Sequence, residues 1–437
     1  MMRFILPLLL TLAALPVRAA IEIQEVTSPG GITAWLVEDH TIPFTALEIR
    51  FRGGASVEPA DKRGATNLMT ALLEEGAGDM DARAFARARD GLAASFRYGA
   101  SDDALSVSAQ FLTENRDAAV DLLRQSLIQP RFDAEAIERV RAQVLSGLRS
   151  DEKDPQSIAT RRFDALVFGD HPYATSLDGT VETVTALTRD DLLAAHAATM
   201  ARDRIHVSAV GDITAAELGA LLDSLLGELP ATGASMPGPA DPAFPGGVTV
   251  VDFPTPQSVV LFGQPGVAQE DPDFFAAFIL DHILGGGGFE SRLMTEVREK
   301  RGLTYGIYTY LADRDHAQTW GGSVASANDR VAEAVEVIRA EWARLQAEGV
   351  TAAELENAKT YLTGAYPLRF DGNGTIANII VGMQMRGFPI DYAATRNDKV
   401  NAVTLADVNR VAREVLDPAA LSFVVVGQPE GLGETSN

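Results

Sequence analysis

Two residues have the types and the spacing to do chemistry together. They are Arg298 and Tyr305, inside the stretch GGGGFESRLMTEVREKRGLTYGIYTY that runs from Gly285 to Tyr310. Four glycines, Gly285, Gly286, Gly287 and Gly288, make a mobile loop in which backbone can approach a ligand closely. Ser291 stands where a helix N-cap would, and Leu293, Val297 and Lys300 follow at helical spacing. Gly302 supplies the stop, and the residues from Leu303 to Tyr308 read as a strand. This order brings Arg298 and Tyr305 close to one another. From spacing alone two readings stay open: a functional pair, or an arginine favoured by a helix C-terminus beside a tyrosine packed on a sheet.

Other chemistries find less support. The chain has no cysteine, which excludes disulfides, thiolate metal sites and a thiol nucleophile. No two of the six histidines, His40, His171, His196, His206, His282 and His316, lie within five residues of each other, so no local metal-binding pair exists. Glu74, Glu75, Asp79 and Asp81 form an acidic cluster that reads as a solvated helix end, with weak cation attraction as the other reading. The glycine run is not followed by Lys-Ser/Thr, and there is no G-x-S-x-G elbow, so neither a phosphate loop nor a hydrolase elbow is present.

These residues need elements to hold them. Met1-Met2-Arg3, an apolar run from Phe4 to Pro16 and small residues to Ala20 read as a signal peptide over residues 1–20. A periplasmic or secreted protein without membrane insertion is expected. The net charge of −23 argues against nucleic acid as a partner, and hints at cationic peptides. Strands then helices recur on either side of a Pro/Gly-rich linker, residues 229–247, which separates domains over 21–228 and 248–430 and leaves a tail, 431–437. Leu187-Thr188-Arg189-Asp190-Asp191-Leu192 leads to a helix and the strand ending at Gly211. Val403-Thr404-Leu405-Ala406-Asp407-Val408 leads to a helix and the strand ending at Gly427. The glycine pairs Gly91-Leu92 and Gly302-Leu303 repeat at a similar offset. The expected fold is α+β: two similar, duplicated halves, each a mostly antiparallel sheet packed against helices.

The pattern S-R-L-x-x-x-V-R-E-x-x-G-L-x-Y resembles the C-terminal half of the pitrilysin/insulinase (inverzincin) metallopeptidases. The resemblance implies that Arg298 and Tyr305 hold a substrate carbonyl and its oxyanion, and that Gly285–Gly288 borders the substrate. In the N-terminal half that family carries H-x-x-E-H, two zinc ligands and a base, with a glycine five residues later. The segment here runs from Gly64 to Gly76 and keeps both flanking glycines. Its ligand positions are Asn67 and Ala71 and its base position is Thr70, while Leu145 falls where a third ligand, a glutamate, belongs. An amide oxygen is a poor zinc ligand, alanine is none, and threonine accepts no proton at neutral pH. The resemblance therefore implies a chain without zinc of its own. It would pair with a zinc-bearing paralogous subunit as a heterodimer, inactive alone, and clamp extended peptides for cleavage by that partner. A catalytically inert scaffold or a peptide-binding clamshell of the same fold is the alternative.

Overall fold

A computed structural model describes residues 21–433; the expected signal peptide lies outside them. The chain opens with β1 (Gln24–Thr27), β2 (Thr33–Glu38) and β3 (Phe44–Arg52). Helices α1 (Ala65–Ala71) and α2 (Ala82–Gly91) precede the hairpin of β4 (Ser95–Ala100) and β5 (Ala104–Leu112). Then come α3 (Arg116–Ile128), α4 (Ala134–Asp151), α5 (Pro155–Phe168), α6 (Arg189–Thr199), β6 (Ile205–Gly211) and α7 (Ala215–Leu226). Residues 229–247 hold no helix or strand.

The second half contains β7 (Val248–Asp252), β8 (Gln257–Pro265), α8 (Phe274–Asp281), β9 (Ile307–Arg314) and β10 (Ala317–Ala327). It closes with α9 (Val331–Glu348), α10 (Ala352–Ala365), α11 (Asn373–Met385), α12 (Tyr392–Ala402), α13 (Leu405–Val415) and β11 (Ser422–Gly427). The sheet orders are β1-β2-β6-β3-β5-β4 and β7-β11-β8-β10-β9. Dropping β1, the two orders superpose strand for strand. In each, one pair is parallel, β2 with β6 and β7 with β11, and the other pairs are antiparallel. The fold is thus α+β with duplicated halves. The repeat extends to capping: Thr188 and Asp191 cap α6 reciprocally, and Thr404 and Asp407 do the same for α13.

The halves are held together by an exchange of helices. The inner face of the first sheet, with Leu47, Ile49 and Phe51, packs on that half's own helices. Its outer face, Trp35, Ala46 and Val210, is covered by Ala377, Ile380 and Met383 of α11 from the other half. Ser208 Oγ donates to the Ala377 carbonyl at 2.7 Å, and Gln384 Nε2 donates to that of Val207 at 2.7 Å. Reciprocally, Ala159 of α5 packs on Val424 and Val426 of the second sheet. Burial on both faces explains why β3 and β11 read as near-continuous buried runs rather than alternating ones.

Two local expectations change, and one detail of the repeat differs between the halves. Gly285 and Gly286 do not form a free loop: they prolong α8 through a wide turn, His282–Gly286, and a Cβ at Gly285 would lie 2.5 Å from Thr309 Oγ1. The strand expected from Leu303 starts at Ile307, because Thr304 Oγ1 donates to the carbonyls of Ala325 at 2.7 Å and Gly306 at 2.9 Å and holds the chain off the ladder. In the first half the left-handed position after α2 falls on Ala93 (φ 50°), not on Gly91, whereas Gly302 (φ 62°) takes it in the second.

Candidate functional site

The Arg298 segment is built from both ends. Met294 N donates to Ser291 Oγ at 3.4 Å, so Ser291 caps the helix that continues through the widened turns of Met294–Glu299. Leu293 and Val297 are fully buried, which fixes the face this helix turns inward and leaves Arg298 at its outer edge. Arg292 grips Glu354 of α10 with two bonds, 2.6 and 2.9 Å. Lys300 and Arg301 close on Glu296 at 2.6 and 2.8 Å; their hydrogen bonds, Lys300 first, hold that carboxyl below its usual range. The helix ends as Gly302 N donates to the Arg298 carbonyl at 2.8 Å and Leu303 N to that of Val297 at 3.0 Å.

Arg298 and Tyr305 line the same cleft, about 490 Å³, together with Leu303, Thr304 and Ser326. The Arg298 guanidinium lies 4.7 Å from the Phe289 ring centre, and among the described residues no carboxylate pairs with it. Tyr305 is 89% exposed. Both side chains therefore present free donors to one cleft. The four glycines do not line it: Gly285 is buried, and Gly286 faces a second cleft between the halves.

The helix Ala65–Ala71, where the resemblance puts a zinc motif, is spent on the fold itself. Asn67 Nδ2 donates to Asp178 Oδ1 at 2.7 Å, and Thr70 is buried with its hydroxyl unpaired. Ala71 and Leu145 offer no donor atom, so these residues do not fit zinc. The acidic cluster is engaged by the chain: Arg139 binds Glu75 at 2.9 and 2.5 Å, Arg89 binds Glu74 at 2.9 Å, and Asp81 caps α2. His171 and His316 do converge across the halves, rings 5.7 Å apart. Both nitrogens of His171 are taken, however: Nδ1 accepts from Tyr173 N at 3.2 Å, and Nε2 bonds the Gly238 carbonyl at 3.2 Å. Among the described residues, no three His, Asp or Glu gather as metal ligands.

Duplication supplies a second version of that helix, one that sequence reasoning missed. Counting back five residues from Gly76 and from Gly287, the positions of Asn67, Thr70 and Ala71 correspond to Phe278, Asp281 and His282 on α8 and its continuation. Asp281 Oδ1 accepts from Thr309 Oγ1 and Trp320 Nε1, both at 2.7 Å, and burial pushes its carboxyl up to about 6. His282 stacks on Tyr361 of α10, ring centres 5.1 Å apart, and burial lowers its pKa. The available signal was F-x-x-D-H followed by a glycine.

A fold of two such halves, one bearing an Arg-Tyr cleft and the other an Asn-Thr-Ala helix, defines a class of duplicated, peptidase-like α+β chains. The model of the insulinase peptidase family, M16, matches residues 33–181, and the model described as the peptidase M16 inactive domain matches residues 186–362. The chain belongs to this family. It is 26% identical over 390 residues to the non-peptidase homolog YmxG of Helicobacter pylori, covering 89% of this chain and 90% of that protein. It is 24% identical over 430 residues to the probable mitochondrial-processing peptidase subunit beta of Schizosaccharomyces pombe, covering 94% and 92%. The solved peptidase M16 inactive domain of Pseudomonas fluorescens superposes with a TM-score of 0.87 at 27% identity, covering 95% of this chain and all of that one.

Proposed function

We propose that this chain is the zinc-free subunit of a heteromeric M16 peptidase, a periplasmic or secreted pair whose other chain carries the metal. The observation that carries the reading is the cleft in which Arg298, without a carboxylate partner, and Tyr305, 89% exposed, stand free. A guanidinium and a phenol hydroxyl at one cleft can both donate to a peptide carbonyl oxygen and go on donating as negative charge develops there. Glu299 is the one carboxylate that lines this cleft, and among the described residues no three His, Asp or Glu gather there as metal ligands, so the proposed hydrolysis takes its metal-bound water from the partner. The names of the Helicobacter pylori and Pseudomonas fluorescens relatives, non-peptidase homolog and inactive domain, support a chain that does not cut by itself. The same names also favour a second reading, a peptide-binding clamshell or scaffold that never cuts.

The test is cleavage of a quenched, unstructured peptide by the purified chain, alone and mixed with its zinc-bearing paralogue, with metal analysis of both. Activity only in the mixture, with zinc only in the partner, is the expected result. A stable complex that cleaves nothing moves the assignment to scaffold or peptide binder. Zinc and activity in this chain alone overturn both readings.

A further inference from the structure

The excess of 60 acidic over 37 basic residues is reversed in a cleft between the halves. A cleft of about 650 Å³ is lined by Arg50 from the first sheet and by Arg369, Arg386 and Arg396 from the second half, and Asp281 is its one acidic lining residue. Arg50 is compensated, with Nη1 2.7 Å from Glu48 Oε2. Arg386 donates to the neutral Gln269 Oε1 at 2.8 Å, and Asp313 and Asp315 lie within electrostatic reach of it without forming an ion pair. Arg396 is 7% exposed; its Nη1 donates to the Leu362 carbonyl at 2.9 Å and to Asn397 Oδ1 at 3.2 Å. Its guanidinium lies 4.6 Å from the Tyr366 ring centre and 5.3 Å from that of Phe278. Among the described residues none of the three, Arg369, Arg386 and Arg396, pairs with a carboxylate.

A buried guanidinium without a counter-ion is costly, and a bound anion would remove that cost. An inorganic ion would leave most of this volume and its aromatic walls unused. Exposed aromatic side chains, Phe289, Tyr305, Tyr308 and Tyr310, run from the Arg298 cleft to this one, where Tyr310 is part of the wall. Such a stripe suits the apolar side chains of a polypeptide. At about 3.3 Å per residue, the stretch from Tyr305 to Tyr310 spans at most ~17 Å, or up to about five residues of an extended peptide.

We propose that the arginine-lined cleft between the halves binds a carboxylate of the same extended peptide whose carbonyl Arg298 and Tyr305 hold, within about five residues of it. This rests on the reading of the chain as a peptide-handling subunit. It assigns acidic peptides as the substrate class, against the hint of cationic ones from net charge. The carboxylate comes from a Glu or Asp side chain or from the peptide's C-terminus.

Fluorescence anisotropy of the full chain without a partner tests this, using a labelled Tyr/Leu-containing peptide with one internal Glu and an amidated C-terminus. Its Gln counterpart and a neutral peptide with a free C-terminus complete the set. The Glu peptide is expected to bind roughly tenfold tighter than the Gln one, with the preference weakening as salt rises. Arg369→Ala and Arg386→Ala, both at exposed residues, each cut that preference severalfold with unchanged circular dichroism, and Arg396→Gln abolishes it. Tighter binding of the free-C-terminus peptide instead assigns the pocket to a terminal carboxylate. Equal binding of all three peptides, or a preference that survives Arg369→Ala and Arg386→Ala together, overturns the proposal. Competition by free glutarate at the peptide's own concentration overturns it in favour of a small anion. A Glu preference in a chain whose mixture cleaves nothing keeps the pocket and rejects the peptidase subunit; cleavage without the preference does the reverse.

Discussion

The helix Ala65–Ala71 and the segment from Ser291 to Tyr305 sit in matching halves of a duplicated fold, and they use their polar side chains in opposite ways. In the first, Asn67 is tied to Asp178, Thr70 is buried, and the glutamates that follow are gripped by Arg89 and Arg139. In the second, the local ion pairs go to Arg292, Lys300 and Arg301, which leaves Arg298 and Tyr305 free at a cleft. A side chain that the fold consumes is not available to a ligand. The contrast locates function better than residue type does, because both halves carry polar residues at their motif positions.

The largest effect that tests this contrast is on turnover. In the reconstituted pair, Arg298→Ala is expected to lower kcat by ~10²-fold or more, the scale of losing one oxyanion donor. Tyr305→Phe should cost roughly tenfold, since it removes the hydroxyl and keeps the ring. Asn67→Ala should leave kcat within about twofold and affect only stability. Peptide-cleavage kinetics check all three, and a loss from Asn67→Ala equal to that from Arg298→Ala breaks the comparison.

Next in size is the helix exchange. Ile380→Ala removes a fully buried side chain between α11 and the first sheet and should destabilise by about 2–4 kcal/mol in urea unfolding. Both halves should still unfold in one transition, and two separate transitions would mean that the exchange does not couple them.

Asp281 sharpens the comparison of the two motif helices through pH. With its carboxyl pushed up to about 6, the folded chain keeps a proton that the unfolded chain releases near 4. Folding stability should therefore fall as pH rises between those values, by on the order of 2–3 kcal/mol, and then level off. Asp281→Asn keeps an oxygen to accept from Thr309 and Trp320 and removes its share of this fall. Asp164 and Asp315, also pushed up to about 6 by burial, keep a similar fall in both chains, so thermal unfolding from pH 4 to 8 reads the difference between the two profiles, and equal slopes refute it.

The smallest effect is at Gly302, whose φ of 62° favours glycine and whose added Cβ would meet no atom within 4 Å. Gly302→Ala should cost ~1 kcal/mol through backbone strain alone, as read by thermal unfolding. A larger loss would mean that the turn after Arg298 is more constrained than its open surroundings indicate.

Signals carried by near neighbours were legible without a structure. The repeated segments Leu187–Leu192 and Val403–Val408, alternating strands and helical periodicity specify two α+β halves, because each pattern depends on residues within about four positions. The departure from the zinc-motif pattern was equally legible, since Asn67 is a poor ligand, Ala71 is none and Thr70 is no base whatever their surroundings. Tertiary contacts decided the rest. Packing of Gly285 on Thr309 turned a glycine run into helix, and the bond from Thr304 to Ala325 delayed the strand beyond Tyr305. The exchange of α5 and α11 and the gathering of Arg369, Arg386 and Arg396 join residues far apart in the chain or on different elements. No local period encodes such contacts, because their energy comes from burying surfaces that meet only once both halves have formed.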